Sequence, residues 1–361
     1  MPLPPASPAL PANPERPPAA FCTADAMPCP CYNRVLYFYG SGAMHYRSTV
    51  DRQEARETGG DLSTPPIMLA AAMWLVAGWL SLAQPAGAAA PGADTLGKIR
   101  STRTIVLGHR TASIPFSYLP GTISRPIGYS IAICEHIVDA VKANLHLPEL
   151  RVQYHPVQPD NRMAMVASGS VDVECGSTTA TPERRKEVDF STTTFVAATR
   201  VAVVKGGPLR ALRDLNGHRI AVTRGTTNEQ VMEQVARERK LDVQLVRGRD
   251  HDASYAAFRS GKADAVAMDD ILLLGLMTEA GEQGKIEFMD ETLSSEPYAI
   301  MLRKNDPEFK ALVDKAINEM IDHSEMAKLY QQWFRSPIPP KRANLALPFT
   351  EEMARVLKLV R

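Results

Sequence analysis

Asn161 to Val173 reads NRMAMVASGSVDV, and Ser254 to Val266 reads SYAAFRSGKADAV. Each is a short helix with one apolar face, then Ser-Gly-x-x-Asp, then the start of a strand. The glycine supplies the left-handed stop that ends many helices. Units of this kind recur in all α/β proteins, so either half of the pair fits an ordinary domain. Occurring twice, they also fit two lobes of like construction.

The flanking sequence extends both units. Upstream, TIVLGH (Thr104 to His109) has the form of a buried strand. Ile131 to Leu145 forms a helix with apolar residues at 131, 133, 137, 138, 141 and 145. RVQYHPV makes the next strand, Arg162 to Ala167 a short helix, and VDVECG a strand. Downstream, HRIAVTRGTTNEQVMEQVARERK, VQLV, the second unit and IEFM repeat the alternation. The chain then crosses back near Pro297 to Ile300, and helices over Glu308–Ile321 and Glu325–Phe334 pack on the first lobe. Two crossings make a hinge. Gly206-Gly207-Pro208 marks a turn soon after the first crossing. The pattern predicts an α/β protein with largely parallel sheets: lobe 1 over 91–199, lobe 2 over 200–298, and a return with a tail over 299–361. The end of the tail, FTEEMARVLKLV, has the pattern of a short amphipathic helix.

The bulk numbers narrow the function. The chain has 361 residues, 45% of them hydrophobic, enough for a sizeable core. Lysine and arginine number 41 against 40 acidic residues, so no large one-signed field attracts nucleic acid or a membrane surface. Aromatic content is 6%, which leaves few stacking platforms for bases. Pro2 to Pro18 is mostly proline and alanine, and residues 1–66 carry no sustained apolar period; they form a disordered or mis-started extension. Residues 67–90 have the form of a signal peptide. IMLAAAMWLVAGWLSL is uncharged and, at about 16 residues, shorter than the roughly 20 of a spanning helix. The small residues of AQPAGAAAPG follow, with cleavage after Ala88 or Ala89. Export to the periplasm follows from that. The mature chain keeps Cys134 and Cys175, which an oxidising compartment allows to pair, although sequence alone cannot bring their Cβ atoms together.

In open α/β sheets, ligands bind beyond the carboxyl ends of the strands. Arg110, Arg162, Ser177, Thr178, Thr179, Arg184, Thr226, Thr227, Asp269 and Asp270 stand there. Arg162 opens a helix, with Asp160 or Asn161 as its cap, and a cation there opposes the helix dipole at a cost of roughly 0.3–1 kcal/mol. Thr227 starts a T-N-E-Q capping box with Gln230, and free amides at a helix start also suit an anion. Asp270 caps the helix after ADAVAM, which leaves Asp269 free to hold an ammonium. His251 lies in a polar loop, GRDHDAS. Arginines, hydroxyls and one free carboxylate suit a zwitterion with an extra negative charge, because bidentate arginine–carboxylate pairs are strong and selective. Cys175 with His109 or His251 gains no support from spacing as a nucleophilic pair. No Walker loop, metal spacing or G-x-S-x-G occurs in the sequence, so no cofactor and no ATP hydrolysis are expected.

Leu96 to about Phe349 resembles the periplasmic solute-binding proteins of polar amino acid ABC transporters, in particular the glutamate/aspartate branch. VLGHR…PFSY, IGYS, ECGSTT, TPER with VDFS, GGPLRALRDLNG, VTRGTT, AMDD, MLRKNDPEFK and WFRSPIPP carry the resemblance. It implies a two-lobed type II (Venus-flytrap) binding protein with a two-crossing hinge. It further implies a monomer that binds no nucleic acid and delivers an acidic amino acid to permease subunits in the inner membrane. Arg184 and Thr179, with Thr227, resemble the α-carboxylate clamp, and Asp269 the ammonium partner. Arg110, Arg162, Ser177 and His251 resemble the group around the side-chain carboxylate. Two positions depart from the branch. Pro159 replaces a small hydroxyl residue before Asn161-Arg162, which could loosen side-chain discrimination. Tyr298-Ala299-Ile300 lacks the cysteine expected at the return crossing, which leaves Cys175 without its usual partner and weakens the case for a bridge, so the pairing of Cys134 with Cys175 stays open. The same fold carries dehydratases for prephenate-like or arogenate-like acids, for which Glu174 or Asp270 would be the acid. A sensory input domain would need a spanning helix and signalling domain after the lobes, and the sequence as given stops at Arg361 without them.

Overall fold

The computed structural model describes residues 94–121 and 123–359; the expected extension (1–66) and signal peptide (67–90) lie outside the described residues. The first half holds α1 (Thr95–Thr102), β1 (Thr104–His109), a hairpin of β2 (Ala112–Ser113) and β3 (Ser117–Tyr118), α2 (Tyr129–Leu145), β4 (Arg151–Pro156), α3 (Arg162–Ala167) and β5 (Val173–Cys175). The 17-residue β6 (Val188–Val204) then leaves it. The second half holds β7 (Arg219–Thr223), α4 (Thr227–Arg239), β8 (Gln244–Gly248), α5 (His251–Arg259), β9 (Ala265–Asp269), α6 (Asp270–Ala280) and β10 (Ile286–Phe288). β11 (Ser294–Arg303) returns, followed by α7 (Pro307–Asp322), α8 (Glu325–Phe334) and α9 (Glu351–Val356).

The strands run β4-β1-β5-β11-β6-β9-β7-β8, with β10 on β6. Pairing is parallel within each half, at β4-β1-β5 and β9-β7-β8. Between them β6 and β11 pair antiparallel from Thr199↔Ser294 to Val188↔Arg303. The two expected sheets are therefore one continuous path. At about 3.3 Å per residue β6 is roughly 55 Å long, enough to serve both halves. The expected lobe boundaries at Thr199 and Tyr298 fall inside these two crossing strands.

The crossing is fixed by aromatic packing. Phe195 on β6 stands opposite Tyr298 on β11, and Phe116, Tyr129, Tyr330 and Phe334 close around them, with the Phe195 and Phe334 rings 4.9 Å apart. Burial of such rings, about 1.5–3 kcal/mol each, gives the hinge a rigid seat on the first half. α2 starts at Tyr129 rather than Ile131 because its first turn has work in this seat. The Tyr129 hydroxyl donates to the Thr194 carbonyl at 2.9 Å, and Ser130 Oγ donates to the Gly176 carbonyl at 2.8 Å. That anchoring holds Cys134, one turn on, over the end of β5. Cys134 and Cys175 form a disulfide with Cα atoms 6.2 Å apart, which settles the pairing that the sequence left open. The tail closes on the hinge as well, with Met353 and Leu357 buried and Met353 Sδ 3.2 Å from the Val196 amide.

Candidate ligand-binding site

The eight candidate residues, drawn from both halves, are all buried. Arg110 directly follows β1 and is 1% exposed, yet among the described residues its Nε, Nη1 and Nη2 have no hydrogen-bond partner. Arg162 opens α3 with its Nε likewise unpartnered. Asn161 holds the N-cap position but its side chain makes no cap bond; it accepts instead from the Gln158 amide at 2.9 Å. Ser177 Oγ is buried without a partner beside them in the sequence after β5. Unpartnered buried donors cost roughly 1–3 kcal/mol each, more when charged. Burial and then the Arg162 charge push Arg110 down to about 9. Burial also lowers Arg162, and Glu174 is the first of the carboxylates that oppose this. These guanidiniums are strained toward any anion that reaches them.

Arg184 anchors the other side. Its Nη1 donates to the Thr179 carbonyl at 2.9 Å and its Nη2 to the Gly225 carbonyl at 3.4 Å, so it joins the two halves. Burial, then Arg162, push it down to about 9. Thr179 Oγ1 and Thr227 Oγ1 lie 3.5 Å apart across the same gap. Thr227 is not the cap of α4. Thr226 is, accepting from the Glu229 amide, and Thr227 is the first helical residue. The box was displaced by one position because the turn Thr223–Thr226 aims Thr226 Oγ1 at the Thr223 carbonyl, 2.6 Å away.

His251 is not in a loop. It opens α5 behind the Asp250 cap, 2% exposed, with Nδ1 3.1 Å from Thr223 Oγ1. Burial and the nearby Arg110 and Arg162 hold its pKa well below the ordinary histidine value, so it is neutral. Asp269 is not a free carboxylate. It accepts from Asn228 Nδ2 at 2.8 Å and from the Tyr298 hydroxyl. Burial and then the Glu296 charge push it up to about 7. Asp270 makes no conventional cap; its Oδ1 accepts from the Ala198 and Ile271 amides.

Glu296, Asn228 and Thr199 escaped the sequence reading. Glu296 is 2% exposed and accepts from Thr227 Oγ1 at 2.8 Å. The one signal for it was a carboxylate at the edge of the largely apolar run from Pro297 to Leu302. Glu174 was considered only as an enzymatic acid; it is fully buried, accepts from Thr178 Oγ1 at 2.7 Å, and its charge supports Arg110 and Arg162.

Pro159 and Asp160 face Gly225 of the second half. A Cβ on Gly225 would stand 2.8 Å from Asp160 Cα and 3.0 Å from the Pro159 carbonyl carbon, and Gly225 has φ +74°. Gly225→Ala therefore meets backbone on the opposing half and disfavoured φ together, a penalty of about 1–3 kcal/mol on the closed form. Ligand affinity should fall about tenfold or more, and ligand-induced compaction in small-angle scattering should shrink. Unchanged affinity and compaction would refute the need for this approach.

The sequence signature of the bacterial extracellular solute-binding proteins, family 3, matches residues 105–336. The chain belongs to that family. An L-glutamate/L-aspartate-binding protein of Pseudomonas aeruginosa is 42% identical to this solute-binding protein over 263 residues, covering 73% of this chain and 87% of the relative. A glutamate/aspartate import solute-binding protein of Escherichia coli is 38% identical over 277 residues, 77% of this chain and 91% of that one. Among solved structures, an ancestral arginine-binding protein bound to arginine superposes with a TM-score of 0.57 at 28% identity, covering 64% of this chain and 98% of its own. The two-lobed fold follows from these likenesses together with the two crossing strands.

Proposed function

We propose that this solute-binding protein serves an ABC importer, closing around L-glutamate or L-aspartate between its halves and presenting it to the permease. The observation that carries this reading is charge placement. Arg110 and Arg162 bury unpartnered guanidinium nitrogens at one end, while Arg184 and the carboxylate of Asp269 serve the other. A ligand with two carboxylates and one ammonium answers both ends. Arg184, Thr179 and Thr227 take the α-carboxylate, Asp269 the ammonium, and Arg110, Arg162, Ser177 and neutral His251 the side-chain carboxylate. Thr227 Oγ1 already donates to Glu296, so it offers a ligand its backbone amide at the start of α4. Closure is a population shift, because ligand contacts from the second half exist only in the closed form. Residues 67–90 serve as the leader that delivers the chain to the periplasm.

Nothing in the site favours the dehydratase alternative: Asp270 faces two backbone amides, and Glu174 accepts from Thr178 with one oxygen. The curated relatives are transport binding proteins, and this chain acts as one.

Titration calorimetry of the processed protein with glutamate, aspartate, glutamine and asparagine tests the assignment. The acids should bind at least tenfold more tightly than the amides, since a lost charged hydrogen bond costs about 1.5–3 kcal/mol. Glutamine binding as tightly as glutamate would overturn it.

A further inference from the structure

We infer that Glu296 is a positioning residue of the ammonium end, that its charge helps keep a proton on Asp269 before ligand arrives, and that this proton passes to solvent when the ammonium binds. This rests on the functional reading above and deepens it.

Geometry sets up the pair. Asp269 ends β9 and Glu296 lies on β11, on either side of β6, where Thr199 stands. The single Thr199 hydroxyl proton faces both carboxylates, 3.1 Å from Glu296 Oε1 and 3.5 Å from Asp269 Oδ1, while its oxygen accepts from Asn228 at 2.7 Å. Both residues are buried, 3% and 2% exposed. Among the described residues Glu296 receives only hydroxyls, from Thr227, Thr199 and Ser294 at 2.8, 3.1 and 2.5 Å. Neither carboxylate has an ion-pair partner among the described residues. A second buried carboxylate linked to Asp269 by one hydroxyl opposes the ionisation of Asp269. An ammonium entering beside Asp269 is the missing counter-charge, and it favours the ionised form of Asp269.

The other groups facing the pair do not titrate in the same window. Tyr298, on β11, is raised well above the ordinary tyrosine value by burial and by Asp269. Arg162 and Arg184, lowered by burial, still carry their charge near neutrality, Arg184 at about 9. Asp270 points to amides and to Arg200, and His251 is already neutral. With Asp269 pushed up to about 7, the ionised form that binds an ammonium is present above that pH and is lost as pH falls through it. Glu296 also receives the Thr227 hydroxyl, so the same carboxylate orients the first residue of α4 toward the cleft.

The test is calorimetry of the processed protein with glutamate in buffers of different ionisation enthalpy, at pH 6, 7 and 8. Roughly half a proton should be released per ligand at pH 7, and affinity should fall about tenfold from pH 8 to pH 6. Glu296→Gln should abolish most of the release and flatten the pH profile, and Glu296→Asp should restore both. Wild-type binding with no release between pH 6 and 8 would overturn the inference even if no variant folds, and so would unchanged release in Glu296→Gln. Failure to bind glutamate or aspartate at all would overturn the functional reading, and this inference with it.

Discussion

Arg162→Ala should weaken glutamate binding by roughly 30-fold or more while leaving glutamine binding little changed. Removing one partner of a buried charge pair costs about 2–5 kcal/mol. The free protein should not suffer in proportion. Its Nε lacks a partner, its charge lowers the pKa of Arg110, and a cation at the start of α3 opposes the helix dipole. Arg162→Met, which keeps most of the stem packing, should therefore match or exceed the wild-type thermal midpoint and still lose glutamate. Calorimetry with both ligands and thermal melts read the two effects separately. Equal losses for glutamate and glutamine would mean that Arg162 does not meet the side-chain carboxylate. A large fall in the midpoint of Arg162→Met would mean that the arginine is structural.

Much of this architecture is written in local pattern. β1 and α8 run over the residues their periodicity marks, and α3 starts and stops at Arg162 and Ala167 as the Ser-Gly stop requires. The crossings were legible because two like units had to be joined twice. What escaped is tertiary. No local signal shows that β6 and β11 fuse two sheets into one, since that depends on a strand long enough to reach both. The capping box over Thr227 matched its pattern, yet Thr226 took the role because the turn before it fixes the entry angle. Asp269 was placed correctly at a strand end but was expected to stand free. The residues that engage it, Asn228 on α4 and Glu296 with Tyr298 on β11, come from two places in sequence far from it and from each other. The arginines were the easiest to find because charge at a strand or helix end needs a reason. Glu296 was the hardest because its reason is another carboxylate.

Replacing Cys134 and Cys175 by alanine should lower stability by about 4 kcal/mol, the loop-closure value for a bridge of 41-residue separation. The thermal midpoint should drop on the order of 10 °C. Both cysteines are fully buried in the core, so the native bond should resist dithiothreitol until the protein is partly unfolded. Loss of binding should be much smaller than loss of stability. The bridge fastens α2 to the end of β5, just before Ser177 and Thr179, but it is not the sole fastener. Ser130, one turn earlier on α2, still donates to the Gly176 carbonyl, and Ala180 still bonds to Pro297 across the crossing. The double variant should therefore bind glutamate within a few-fold of wild type at a temperature well below its melt. Adding Ser130→Ala removes the second fastener, and affinity should then fall clearly below that of either change alone. Denaturant melts and calorimetry on the three variants separate the cases. A double variant as stable as wild type would show that the bridge adds nothing to folding. One that is stable but no longer binds would show that the bridge itself, rather than Ser130, holds the 177–179 segment in place.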